Sequence, residues 1–205
     1  MKTLLALAAW LLCGAALAQP AAQDRLKAIQ ADPAALKAAV EAGKKASFFC
    51  ANCHGEDGVS KSPEIPNLAG QNPAYLLEQV RKFGSGERKD PFMQGLIKVL
   101  KDEERVQIAL FYASTTVLPS RSDAAQAAQG KVLFGKLCSR CHGEQAHGNE
   151  TFPRLAGQKQ PYLRTSIMRY RDGTGERNNQ LMSIATASLK NEDITALTNY
   201  LGQLP

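Results

Sequence analysis

The feature that most constrains this chain is a short motif, Cys-x-x-Cys-His, that occurs at residues 50–54 and again at residues 138–142. One copy lies in each half of the 205-residue chain. The two copies use every cysteine except Cys13, which lies in an apolar N-terminal run. We therefore expect each half to be organised around its own copy of the motif.

The spacing of the motif suits the covalent attachment of haem. Two thiols about one helical turn apart can add to the two vinyl groups on one edge of a porphyrin, and the adjacent histidine can then supply an axial nitrogen to the iron. We predict two covalently bound haem c groups as cofactors. The predicted attachment residues are Cys50, Cys53, Cys138 and Cys141, and the predicted axial histidines are His54 and His142.

Two other chemistries also use Cys-x-x-Cys pairs. One structural zinc ion could take four thiols, but this reading leaves both histidines unexplained and requires two widely separated pairs to converge. A pair of thioredoxin-type redox disulfides needs a strand–helix context, and the chain shows little β pattern. Both readings are weaker than haem attachment, because neither explains the whole motif.

The similarity between the halves extends well beyond the cysteines. The segment Pro-Asn-Leu-Ala-Gly-Gln at 66–71 matches Pro-Arg-Leu-Ala-Gly-Gln at 153–158, and Gly-Glu-Arg recurs at 86–88 and 175–177. Abundant alanine and helical apolar spacing predict helices. A repeat of this length predicts an all-α fold of two tandem domains that share one architecture.

The predicted organisation has four parts after an export signal. They are an N-terminal leader at 19–31, a first domain at 32–115, a linker at 116–122 and a second domain at 123–205. We call residues 32–115 the first half and residues 123–205 the second half. Helices are expected in the leader, from Asp32 and Pro33 towards Cys50, from Ser122 and Asp123, and at about 73–82, 102–113, 160–171 and 191–203.

The N-terminus has the pattern of a secretory signal peptide. Lys2 precedes an apolar run from Leu4 to Ala18, and this run is too short for a comfortable membrane span. We predict cleavage after Ala18 and export to the periplasm, with an uncleaved anchor as the weaker alternative. The net charge of +6 is spread along the chain, which disfavours a nucleic-acid-binding surface.

The second axial ligand can be found by elimination. The third histidine, His147, lies in a polar segment soon after His142, and we expect it at the surface. The first half contains one methionine, Met93, whereas the second contains Met168 and Met182. Met168 lies on an apolar helix face and is expected in the core, while Met182 matches Met93 in the repeat. We predict Met93 and Met182 as axial ligands, and His/Met ligation favours electron transfer over catalysis.

Two further features could complete the sites. The carbonyl of Pro66 or Pro153 could accept the second ring N–H of the axial histidine, or these prolines could only shape their loops. Six basic residues near the methionines could include partners of the haem propionates, although a solvated charged face is an equal alternative. They are Lys82, Arg88, Lys89, Arg169, Arg171 and Arg177.

With two Cys-x-x-Cys-His motifs, each followed by Pro-x-Leu-Ala-Gly and Gly-x-Arg…Met segments, the chain resembles the dihaem cytochrome c4 family. The resemblance covers almost the whole chain after the leader. It implies two class I cytochrome c domains related by pseudo-two-fold symmetry, with the cysteine, histidine and methionine ligands given above. It also implies a periplasmic electron carrier, not an enzyme, that is soluble or peripherally associated with the membrane.

The redox partners implied by the resemblance are a cytochrome bc complex, a terminal oxidase or a periplasmic dehydrogenase. One alternative is a dihaem subunit of a periplasmic dehydrogenase, such as a flavin-containing sulfide dehydrogenase. A dihaem peroxidase is disfavoured by the paired methionines.

The chain departs from the family pattern at one place, where the first and last helices of a domain cross. A small residue is expected at this crossing so that the two helices can approach closely. In the second half this residue is Gly130. In the first half the matching position is Ala42, and Gly43 follows it.

Overall fold

The computed structural model describes residues 22–175, 177 and 179–205, and this part of the chain contains α-helices and no β-strand. The prediction of an all-α fold is therefore confirmed. The predicted signal peptide, with Cys13, lies outside the described residues. Within them, no helix is both long and apolar enough to cross a membrane.

Eleven helices account for both halves and the leader in the described part of the chain. The leader and first half contain α1 (Ala22–Ala31), α2 (Pro33–Ala46), α3 (Phe48–His54), α4 (Pro73–Ser85), α5 (Pro91–Lys98) and α6 (Asp102–Ala113). The second half contains α7 (Ala124–Leu137), α8 (Ser139–His142), α9 (Gln160–Asp172), α10 (Gln180–Thr186) and α11 (Asn191–Gln203). The expected helices are all present, and the short helices α3, α5, α8 and α10 are additional.

Side-chain caps explain where several helices begin. Oδ1 of Asp32 accepts hydrogen bonds from the N–H groups of Ala34 and Ala35 at 2.8 and 3.2 Å, and Pro33 occupies the first turn. Oδ1 of Asp123 accepts from the N–H of Gln126 at 2.8 Å. These carboxylates satisfy backbone donors that have no partner within the helix.

The first and last helices of each half cross at a glycine. A Cβ atom at Gly130 would lie 2.0 Å from the carbonyl oxygen of Ala196, and one at Gly43 would lie 2.0 Å from that of Gln107. Gly43 is therefore the structural counterpart of Gly130, which corrects the alignment of Ala42 with that position. Gly43 lies one residue closer to the first cysteine of its motif than Gly130 does, and the helices also end differently, α2 at Ala46 and α7 at Leu137.

Each half has its own hydrophobic core. The second core is built around buried side chains that include Phe134, Leu197 and Leu201. The first includes Val106 and also Leu26 of the leader, which is only 1% exposed. Helix α1 packs against α2, α4 and α6. The leader is thus part of the first core, a role that its sequence did not indicate.

Candidate functional site

The Cys-x-x-Cys-His motifs lie on short helices that end at the histidine. In the first half, α3 carries Cys50, Cys53 and His54. In the second half, Cys138 lies at the break between α7 and α8, and α8 carries the rest of the motif. All four predicted attachment thiols are unpaired. Each half thus presents two free thiols and an imidazole from adjacent turns.

Both histidines are buried and held through Nδ1. The Nδ1 atom of His54 lies 2.9 Å from the carbonyl oxygen of Pro66, and that of His142 lies 3.0 Å from the carbonyl oxygen of Pro153. A carbonyl oxygen only accepts, so Nδ1 must carry the proton in both contacts. Burial lowers the pKa of both histidines, although these hydrogen bonds act in the opposite direction. Each neutral ring therefore keeps its Nε2 lone pair for a metal.

The four thiols are half-buried, and the first thiol of each pair has a raised pKa. Burial raises the pKa of Cys50, and burial together with the neighbouring Cys141 raises the pKa of Cys138 to about 11. Redox-active Cys-x-x-Cys pairs have the opposite property, a lowered thiol pKa. Among the described residues, no three His, Cys, Asp or Glu side chains are grouped to hold a metal ion. The two thiol pairs therefore do not form one four-thiol cluster.

The two predicted methionine ligands occupy the same position on equivalent helices. Met93 is the third residue of α5, and its N–H donates to Oδ1 of Asp90 at 2.9 Å. Met182 is the third residue of α10, and its N–H donates to Oδ1 of Asn179 at 3.0 Å. Met93 and Met182 therefore match in the sequence repeat, in their position on the helix and in the hydrogen bond to the N-cap side chain.

The remaining methionine and histidine candidates lie elsewhere. Met168, on α9, packs against the core of the second half. His147 is exposed, and its Nε2 lies 3.1 Å from the carbonyl oxygen of Pro205. These positions agree with the expected roles of Met168 as a core side chain and of His147 as a surface residue.

Two of the six basic residues meet where the halves join. Nη2 of Arg88 donates to the hydroxyl of Tyr162 at 3.4 Å, and Arg177 also donates to this hydroxyl. In the described part of the chain, neither arginine forms an ion pair with a carboxylate. Arg171 differs, because it pairs with the adjacent Asp172 at 2.7 Å.

The arginines create a region of positive potential around Tyr162. Burial alone would raise the pKa of Tyr162, but the guanidinium groups of Arg177 and Arg88 lower it on balance. Burial, and then the charge of Arg177, lowers the pKa of Arg88. Two partly buried cations without a carboxylate partner suit an anionic group, such as a haem propionate.

The halves also meet through two buried glutamines that the sequence analysis did not single out. Nε2 of Gln71 donates to the carbonyl oxygen of Arg154 at 2.9 Å, and Nε2 of Gln158 donates to that of Asn67 at 2.9 Å. Each glutamine ends the repeated Pro-x-Leu-Ala-Gly-Gln segment. The repeated polar residue was an available signal, and the reciprocal contacts follow the expected pseudo-two-fold arrangement.

The donor set in each half fits haem c. Two unpaired thiols precede an imidazole whose Nδ1 is occupied and whose Nε2 lone pair is free, and a capped methionine lies on a separate helix. Thiols for the vinyl groups, together with nitrogen and thioether ligands for iron, are the groups that this cofactor requires.

Comparisons with known proteins agree with this chemistry. The Cytochrome c family profile matches residues 127–205. A cytochrome c4 of Pseudomonas aeruginosa is 35% identical over 172 residues, which cover 78% of this chain and 86% of the relative. A protein of Stutzerimonas stutzeri described as a thiosulfate dehydrogenase electron acceptor is 30% identical over 176 residues, covering 78% and 80%.

A solved structure extends the similarity to the whole two-domain fold. The crystal structure of reduced recombinant cytochrome c4 from Pseudomonas stutzeri superposes with a TM-score of 0.75 at 34% sequence identity. The match covers 81% of this chain and 98% of that chain. Haem c binding, electron transport and two class I domains are thereby supported for this protein. The chain belongs to the cytochrome c4 family.

Proposed function

We propose that this electron-transfer protein binds two haem c groups, one in each half. In the first half, Cys50 and Cys53 would form the thioether bonds, with His54 and Met93 as axial ligands. The corresponding residues of the second half are Cys138, Cys141, His142 and Met182. The observation that carries the proposal is the repeated donor set, in which a proline carbonyl holds each histidine by Nδ1 and leaves Nε2 free.

The protein's own residues favour electron transfer without other chemistry. Bound haem would supply an iron centre that gains and loses one electron. The Pro66 and Pro153 carbonyls fix the orientation of the histidine rings, and the caps at Asp90 and Asn179 fix the turns that carry the methionines. Ligands held in this way change position little between oxidation states, and two strong ligands leave no site for a substrate. We therefore propose an electron carrier and not an enzyme.

The arginines at the junction of the halves would hold the propionates. Arg88 and Arg177 both reach Tyr162 from different halves, so carboxylates placed there would meet charge from both domains. Arginines from both halves would therefore be available at one place to neutralise propionate charge.

The proposed location is the periplasm, and the proposed partners are redox proteins of a respiratory chain. The N-terminal pattern at residues 1–18 supports export, and covalent haem c attachment fits an exported protein. A cytochrome bc complex, a terminal oxidase or a periplasmic dehydrogenase would donate or accept the electron. Peripheral association with the membrane is part of this proposal, as are the domain boundaries given above.

One specific observation favours a second function, that of electron acceptor for a dedicated dehydrogenase. The relative from Stutzerimonas stutzeri carries this description for thiosulfate dehydrogenase. A solved thiosulfate dehydrogenase (TsdBA) from Marichromatium purpuratum also matches, with a TM-score of 0.67 at 28% identity, over 81% of this chain and 40% of that chain. Purification from a native extract would separate the two readings, because a subunit would co-purify with its enzyme.

The haem content and ferric absorption spectrum test the main proposal. We expect two covalent haem groups per chain and a long-wavelength methionine-to-iron band whose intensity accounts for both. Addition of cyanide or peroxide should give only slow binding, because both irons have two protein ligands. One haem per chain, or a high-spin signal from half of the iron, would overturn the assignment and favour an enzyme.

A further inference from the structure

Each half places a buried glutamine against the peptide that holds the histidine of the other half. The carbonyl oxygen of Pro153 accepts from Nδ1 of His142 at 3.0 Å. The N–H of the same peptide, which belongs to Arg154, donates to Oε1 of Gln71 at 2.7 Å. Gln71 comes from the first half. It therefore binds one end of a peptide group whose other end binds the histidine of the second half.

The reverse contact has the same geometry. The carbonyl oxygen of Pro66 accepts from Nδ1 of His54 at 2.9 Å, and the N–H of Asn67 donates to Oε1 of Gln158 at 2.8 Å. Gln158 comes from the second half. Two hydrogen-bonded chains thus cross the interface in opposite directions, and each runs from a glutamine through one peptide to a histidine.

Both glutamines are held firmly in place. Gln71 is 7% exposed and Gln158 is 6% exposed. Oε1 of each accepts a second hydrogen bond from the next backbone N–H, at Asn72 and at Lys159, with a distance of 3.0 Å in both cases. Their amide nitrogens are bound to the carbonyl oxygens of Arg154 and Asn67. Such saturated, water-excluded hydrogen bonds are stronger than exposed ones.

A peptide that donates through its N–H is polarised, and its carbonyl oxygen becomes a stronger acceptor. A stronger acceptor at Nδ1 makes the histidine a more basic ligand, which stabilises the ferric state. We propose that Gln71 and Gln158 are positioning residues that act across the interface, so that each half adjusts the reduction potential of the haem in the other. This inference rests on the proposed ligation by His54 and His142.

The test uses the matured two-haem protein and the variants Gln71→Leu and Gln158→Leu. Nuclear magnetic resonance of the ferrous protein resolves the Nδ1 proton of each axial histidine. With Gln71→Leu, we expect the His142 proton to move upfield and to exchange several-fold faster, while the His54 proton is unchanged. The potential of the second haem should rise. Gln158→Leu should have the same effects on His54 and the first haem.

Asn72→Ala is the matched control. It removes two bonds across the same interface, from Nδ2 to the carbonyl oxygens of His147 and Phe152, without contacting the Arg154 peptide. We expect the His142 proton to keep its position in this variant. A shift equal to that of Gln71→Leu, or equal shifts of both histidines in either leucine variant, would overturn the proposal.

A further variant is needed in case Gln71→Leu does not mature into a two-haem protein. Gln71→Glu keeps an acceptor for the N–H of Arg154, and its buried carboxyl in the protonated form also keeps a donor to the carbonyl oxygen of Arg154, so the His142 proton should stay close to its wild-type position. An upfield shift of this proton would contradict the role proposed for Gln71. If the wild-type protein lacks two covalent haem groups, the proposed function fails together with this inference. If both haem groups are present and neither leucine variant changes the histidine proton of the opposite half, only the role of the glutamines fails.

Discussion

The two halves build the same donor set on different helices. In the first half, the entire Cys-x-x-Cys-His motif lies within α3, whereas in the second half the helix breaks at Cys138. The contacts that position the donors nevertheless agree. The Nδ1-to-carbonyl distances are 2.9 and 3.0 Å, and both methionine N–H groups bind a capping side chain three residues before them. The hydrogen bonds that position the donors are therefore more alike in the two halves than the helix boundaries around them.

The halves also differ in which neighbouring segment packs against them. The first core includes α1, and Leu26 packs there with Val106 and Leu110. In the second half, residues of the linker take part in the packing of the last helix, because the N–H of Ser120 donates to the carbonyl oxygen of Gly202 at 2.8 Å. Changes to the shared features should affect both halves alike, and changes to the leader should affect one.

The largest expected effect is at the glycine crossings, which are shared. In Gly43→Ala or Gly130→Ala, the new Cβ would lie 2.0 Å from a carbonyl oxygen, so the helices must separate. We expect each variant to lose about 3 kcal/mol of unfolding free energy, measured by chemical denaturation. Gly135→Ala is the control on α7, where nothing lies within 4 Å of the added atom. It should be neutral or stabilising by about 0.5 kcal/mol, and comparable losses in all three would contradict the crossing geometry.

The second-largest effect should destabilise the first half and leave the second half unchanged. Leu26→Ala removes a side chain that is 1% exposed from the first core, and we expect a loss of about 2 kcal/mol. Unfolding followed at the haem of each half should show an earlier transition in the first half only. Lys27→Ala, at an exposed position on the same helix, should leave both transitions unchanged. An equal shift in both halves would mean that the leader stabilises the molecule as a whole.

A smaller effect is expected at the helix caps beside the methionines. Asp90→Ala and Asn179→Ala each remove the acceptor of a methionine N–H, which costs about 1 kcal/mol. This corresponds to roughly a fivefold increase in the fraction of protein in which cyanide can displace the methionine. The two variants should act on different haem groups. If either one exposes both irons equally, the caps do not act locally.

The smallest effect concerns an exposed ion pair of the first half. Hydrogen bonding to Arg81, and then to Ser85, lowers the pKa of Glu87 from 4.5 to about 2. Because the folded pKa is the lower one, this pair stabilises the protein above the unfolded pKa, and the contribution is lost as the pH falls towards 2. Urea midpoints of Glu87→Gln should lie slightly below wild type at neutral pH and converge with it in acid. Added salt should reduce the difference, and a gap that persists at pH 2 would contradict this explanation.

Sequence reasoning could propose donor residues because haem attachment requires particular side chains at a particular spacing. It located the helices at 102–113 and 191–203 with the bounds that the structure shows. Helices α3, α5, α8 and α10 were not predicted as separate helices because they are short. For α5 a signal was present, since Asp90 with Pro91 repeats the start signal of Asp32 with Pro33.

Other features depend on contacts between distant residues, which a single sequence does not contain. The equivalence of Gly43 and Gly130 was missed because the comparison was anchored on the cysteines, and the spacing from the glycine to the first cysteine differs by one residue between the halves. Gln71 and Gln158 were missed because their partners lie in the opposite half. The convergence of Arg88 and Arg177 on Tyr162 likewise appears only when the halves are brought together.

The central claim is that each half ligates its iron with the methionine of its own capped helix. Proton magnetic resonance of the ferrous protein tests it most directly, because an axial methionine methyl group is shifted far upfield by the porphyrin ring. We expect two such methyl signals, with Met93→Leu and Met182→Leu each removing a different one and Met168→Leu removing neither. A single upfield methyl signal in the wild-type protein, or the loss of one in Met168→Leu, would contradict the account.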